Sequence, residues 1–256
     1  MWRAGSPDPG DVLRMARVRE QFDLAPLVIH DNYLINLASI DPVVRARSIE
    51  AFRGELERAA AIGAEYLVAH PGSYKGQSVE VGIISFVAGL AEAARGFRND
   101  KLMLLIEGTA GCGCAIGSRF QEMRAIREQA AAATDVAVGY CLDTCHLLAA
   151  GYDIASEDGL RHTVREAGRW LGFENIRVMH ANDSKHALGS RRDRHANIGE
   201  GYIGRDGFQR ILGHPKLRRL PFILETPVDE VDDDRRNLDT LKSLCPRSRT
   251  TISRSS

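Results

Sequence analysis

The chain has 256 residues, 44% of them hydrophobic and 27% charged, which is the balance of a globular protein rather than a disordered or fibrous one. Its 34 basic and 34 acidic side chains cancel, which excludes a strongly basic nucleic-acid coat but not a local basic patch. No apolar run approaches the roughly 18 residues of a membrane span, and the opening MWRAGSPDPG lacks the order of a signal peptide.

A helix-like stretch, residues 11–22, precedes a short apolar run, PLVIH (26–30). Helix-like segments at 43–62, 79–97, 119–133 and 157–171 then alternate with the runs EYLVAH (65–70), LMLLIE (102–107), VAVGYCLD (136–143) and NIRVMHA (175–181). LPFILE (220–225) and a last helix-like stretch, 232–244, complete the pattern. Near-continuous apolar strands separated by helices predict a parallel sheet covered by helices. No Pro/Gly/Ser linker divides them, so residues 1–245 read as one domain and the tail 246–256 as disordered. The alternation resembles a barrel of repeated units, although an eight-fold barrel needs eight strands. A barrel should also open with a strand, where this chain opens with a loop and a helix.

Reactive side chains fall at one kind of position. His30, His70, Glu107, Asp143 and Glu225 each end their run, and His180 lies one residue from the end of its own. In a parallel barrel these ends gather in one mouth, where active sites of that architecture lie. A single acid or imidazole at a strand end is usually a solvated loop residue. A whole set, once crowded together, needs pairing, and divalent cations would supply it. His146 lies three residues beyond Asp143, and Asp193 and His195 are two apart, so an extended loop can point both one way. The thiols of CLDTCH are expected to stay out of the chemistry: Cys141 alternates with the inward set as small packing, and Cys145 fills space.

HDNYLINLAS, HPGSY, IEGTAG, CLDTCHLLAAGYD, MHANDSKHALGSRRDRHANIGEGYIG and ILET resemble, in order and spacing, the endonuclease IV family of apurinic/apyrimidinic endonucleases, from about Trp2 to about Leu244. The resemblance implies a (β/α)8 TIM barrel with three Zn²⁺ at its mouth. His30 and His70 would bind the first, with Glu107 bridging to a second. Asp143, His180 and Glu225 would complete the second, and His146, Asp193 and His195 would hold the third. Three divalent ions against four carboxylates leave about two positive charges, suited to a phosphodiester. The implied reaction is hydrolysis of double-stranded DNA on the 5′ side of an abasic site, leaving a 3′-hydroxyl and a 5′-deoxyribose phosphate. By the same resemblance Glu107 would be the catalytic residue, orienting the attacking hydroxide. Tyr33 and Leu34 match a pair that enters the base stack, their alternative role being a core cluster under a loop. Lys185, Arg191, Arg192 and Arg194 are candidate phosphate contacts, or else a solvated charge run.

A monomeric, cytoplasmic protein with no membrane partner is expected, its five cysteines reduced. Family members begin with a strand, a helix and a second strand, roughly forty residues that this chain lacks. A barrel missing its first strand, first helix and second strand would leave two unpaired edges. The expected explanation is a start upstream of Met1, since the ligand set is intact. Gly108 stands where the family usually has Asn, which is expected to loosen the support around the metals. Cys112 and Cys114 form a C-x-C that reads as free thiols in a Gly-rich loop. The rival readings are a metal-dependent sugar isomerase or epimerase on the same barrel, and an inactive remnant that binds metal or DNA without cutting.

Overall fold

The computed structural model describes residues 5–246, so the segment expected to be a disordered tail lies, from residue 247 onward, outside the described residues. In chain order the elements are α1 Pro9–Gln21, β1 Val28–His30, α2 Pro42–Ala61, β2 Tyr66–Ala69, α3 Val79–Ala93, β3 Met103–Glu107, α4 Phe120–Ala133 and β4 Ala137–Asp143. There follow α5 Thr144–Ala150, α6 Glu157–Trp170, β5 Ile176–Ala181, β6 Asp183–Ser184, β7 His195–Ala196, α7 Gly204–Gly213, β8 Phe222–Leu224 and α8 Asp233–Leu244. Six strands form one parallel sheet in the order β1-β2-β3-β4-β5-β8, and β6 and β7 pair separately and antiparallel. This is the α/β barrel architecture expected, with the six runs read from the sequence as its strands.

Local chemistry starts the helices. The Asp41 carboxylate accepts the N–H groups of Val43 and Val44 at the head of α2, where Pro42 cannot donate. Ser78 and Ser156 cap α3 and α6 in the same way. α3 stops at Ala93, short of the expected 97, and Gly96 takes a left-handed φ of 75° where the chain turns.

Two helices lie outside the sequence expectation. α5 starts directly at the end of β4, because Asp143 both finishes the strand and accepts the His146 N–H at 2.7 Å. No turn residues separate the two elements, so the strand pattern runs into the helix. α7 contains Gly204, Gly207 and Gly213, which depress its intrinsic helicity. Burial of Phe208, Ile211 and Leu212 holds it in place.

The sheet has two distinct faces. Its outer face packs under the helices through Phe52, Leu56, Phe86, Leu90, Phe120, Ile126, Tyr140 and Phe208. The inner face carries a small apolar layer of Val68, Leu105, Cys141 and Val178, flanked by Val28, Tyr66, Met103 and Ile223.

Candidate metal centre

Strand alternation puts the reactive residues directly above that inner layer. Because side chains on one face recur every second residue, His30 follows Val28, His70 follows Val68, and Glu107 follows Leu105. Asp143 follows Cys141, His180 follows Val178, and Glu225 follows Ile223. The apolar layer thus closes the floor of a mouth whose next storey is entirely acids and imidazoles.

Glu107, with no solvent exposure, is the hub. Its Oε2 lies 2.8 Å from His30 Nε2 and 3.5 Å from His70 Nε2. Its Oε1 lies 3.1 Å from His180 Nδ1 and 3.2 Å from His146 Nδ1. His180 Nδ1 is also 3.0 Å from Glu225 Oε2. On the outer side, Asp193 places Oδ2 3.2 Å from His146 Nε2 and Oδ1 3.3 Å from His195 Nε2. Two compact groups suited to a metal ion are therefore His30, His70 and Glu107, and Glu107, Asp143, His180 and Glu225. Two more, Asp143, His146 and His195, and Cys145, Asp193 and His195, overlap on the outer side. All nine residues read as ligands from the sequence are brought together.

Three of the imidazoles are fixed by main chain. His30 Nδ1 lies 2.9 Å from the Asp31 carbonyl, His146 Nδ1 2.9 Å from the Gly108 carbonyl, and His195 Nδ1 2.9 Å from the Glu225 carbonyl. Each bond makes Nδ1 a donor and turns Nε2 into the mouth. Buried and without a hydrogen-bond partner are His70 Nδ1, His146 Nε2 and His195 Nε2, the last two despite the nearby Asp193 oxygens. Orphaned ring nitrogens beside carboxylates are the signature a cation would resolve, and imidazole and carboxylate donors fit zinc.

The ionisation states agree. Burial opposes charge on Glu107, yet His70, His180 and His146 hold its carboxyl well below the usual range. Burial likewise opposes protonation of His30 and His195, but carboxylate neighbours push them up to about 11 and about 9. Imidazolium and carboxylate thus neutralise each other where a divalent cation would do so instead. Burial pushes the Cys141 thiol up to about 12 and Cys145 up to about 11, away from the thiolate a metal requires.

Gly108 takes part in the site through its main chain: its carbonyl bonds His146 Nδ1, and a Cβ there would meet Met123 Sδ at 3.4 Å. Cys112 and Cys114 are free thiols, as expected.

The nucleic-acid candidates lie around the rim. Tyr33 is 84% exposed and so is no core residue, while Leu34 is half-buried beside it. Lys185, Arg191, Arg192 and Arg194 are all exposed on the loop that carries Asp193. Sequence reading missed Asn182, which is fully buried, donates to Asp143 and accepts from the Glu225 N–H at 2.9 Å. It also missed Asp183, whose signal was the G-x-G-x-x-G of GEGYIG opening a helix.

A parallel sheet with metal-ligand types at the carboxyl ends of its strands defines the class of xylose isomerase-like TIM barrels, and residues 3–245 match that family model. A probable endonuclease 4 of Solibacter usitatus is 62% identical over 244 residues, covering 95% of this chain and 84% of the relative. The crystal structure of endonuclease IV from Thermus thermophilus is similar at a TM-score of 0.81 and 37% identity, over 95% of this chain and 84% of that one. A D-tagatose 3-epimerase-like protein, 20% identical at a TM-score of 0.67 over 93% of this chain and 83% of its own, shares the fold alone. The chain belongs to the endonuclease IV family.

Proposed function

We propose that the chain is a zinc-dependent endonuclease that hydrolyses duplex DNA on the 5′ side of an abasic site, working as a cytoplasmic monomer. The observation that carries this is Glu107, whose two oxygens serve two separate histidine groups while Asp193 ties a third pair beside them. His30, His70 and Glu107 would hold one ion, Glu107, Asp143, His180 and Glu225 a second, and His146, Asp193 and His195 a third. When bound, zinc supplies Lewis acidity toward a phosphodiester and neutralises charge developing on its oxygens.

The chain's own residues do the rest. Glu107 fixes the spacing between the inner groups and, acceptor-only when ionised, can orient a water by taking its proton in a hydrogen bond. Lys185, Arg191, Arg192 and Arg194 offer cations to the backbone phosphates. An abasic nucleotide would leave the duplex to bring its phosphodiester to the buried Glu107, and Tyr33, exposed with Leu34 half-buried beside it, would fill the gap in the stack. A metal-dependent sugar isomerase or epimerase shares the fold, but the third set has no evident use in that chemistry.

The decisive assay is a duplex carrying one tetrahydrofuran abasic analogue. Wild-type protein should nick it 5′ to the analogue and leave a 3′-hydroxyl, and a chelator should stop the reaction. Glu107→Gln should lower single-turnover cleavage by on the order of 10³-fold while the melting curve stays cooperative. Zinc-loaded protein that leaves the duplex intact would overturn the proposal, and sugar turnover by the same preparation would favour the isomerase.

A further inference from the structure

GEGYIG (199–204) has the glycine spacing that elsewhere wraps a phosphate, and here it wraps a side chain of the protein itself. The Asp183 carboxylate is fully buried. Its Oδ2 accepts the N–H groups of Gly199 at 3.0 Å, Gly201 at 3.0 Å and Gly204 at 3.1 Å. Its Oδ1 accepts those of Ile203 at 2.9 Å and Ser184 at 2.8 Å. The main chain needs glycine to make this nest: Gly199 and Gly204 have φ of 84° and 68°, and a Cβ on Gly201 would collide with the Ser184 carbonyl and the Asp183 carboxylate.

What the nest holds is the strand carrying His195. Asp183 and Ser184 pair with Ala196 and His195, and the Lys185 N–H bonds the Arg194 carbonyl at 2.9 Å on the far side. The Ile198 N–H is tied to Asn237 Oδ1 at 2.8 Å. Downstream of His195, therefore, the chain is fixed by four N–H bonds to the Asp183 carboxylate and one to the Asn237 amide. Asp193 stands two residues upstream, on the same tethered segment.

We propose that Asp183 is an internal anion that positions Asp193 and His195, and so sets the affinity of the outer, third ion without touching it. Only a carboxylate fits. An asparagine amide, whichever way it is turned, would aim its NH₂ at two or three of the five N–H groups and leave them unpaired. The role rests on the three-ion reading above and deepens it.

The test is metal stoichiometry of zinc-loaded protein, measured with the melting curve of the same sample. Asp183→Asn should retain two ions of three and keep a cooperative melt, with the third regained only at zinc concentrations at least tenfold higher. Gly201→Ala, which crowds the nest from the opposite side and keeps the carboxylate, should lose the same ion. Three ions retained at wild-type affinity in both variants would overturn the proposal. So would loss of all ions together with the cooperative melt in both, since Asp183 would then serve the fold at large. A wild type that binds only one or two ions would instead sink the three-ion reading, and this proposal with it.

Discussion

Cys145 and Asp143 sit two residues apart in CLDTCH, yet their surroundings assign them opposite parts. Asp143 is fully buried with its oxygens committed to the His146 N–H and to Asn182, one lone pair at a time, which leaves further acceptor capacity for a cation. Cys145 Sγ donates to the Arg194 carbonyl at 3.7 Å, and burial keeps it a thiol. Proximity alone would admit Cys145 beside Asp193 and His195 as a ligand. Cys141→Ser and Cys145→Ser should therefore leave the zinc content of loaded protein at the wild-type value by atomic absorption. One ion fewer in Cys145→Ser would move the thiol into the outer site. At this scale the sequence was legible where a candidate ligand ends a strand-like run. It was not legible at Asn182 and Asp183, because a residue in NDSK looks like any polar loop residue until distant partners close around it, Asp143 and Glu225 on Asn182 and GEGYIG on Asp183.

The elements divide along a similar line. The six strands were readable because each is a short apolar run bounded by helix-like sequence, and their parallel order follows from that alternation. α5 and α7 were hidden for different reasons: one has no boundary to mark it, and the other owes its helix to packing of Phe208 rather than to propensity. α2 is the clearest case of a locally encoded helix, since one carboxylate satisfies two of its free N–H groups. Asp41→Ala should cost about 1 kcal/mol in urea unfolding while cleavage at saturating zinc stays unchanged. A change in cleavage would mean that the loop before α2, which holds Tyr33, moves with the cap.

For the molecule as a whole, a formal charge of zero must be reconciled with a polyanionic substrate. Local concentration of charge would resolve it, and Lys185, Arg191, Arg192 and Arg194 are exposed together on the loop that carries Asp193. If they meet phosphates, Arg191→Ala and Arg192→Ala should each flatten the slope of log affinity against log salt by about 1. An unchanged slope would leave them as solvated charges. The mouth itself has a further property. His30, His146 and His195 each have a main-chain carbonyl, of Asp31, Gly108 and Glu225, at 2.9 Å from Nδ1, in addition to any carboxylate nearby. Mutation can alter the side chains at positions 31 and 108 without deleting these acceptors. The orientation of these imidazoles is thus set in part by the path of the chain itself, which a side-chain substitution at position 108 does not remove.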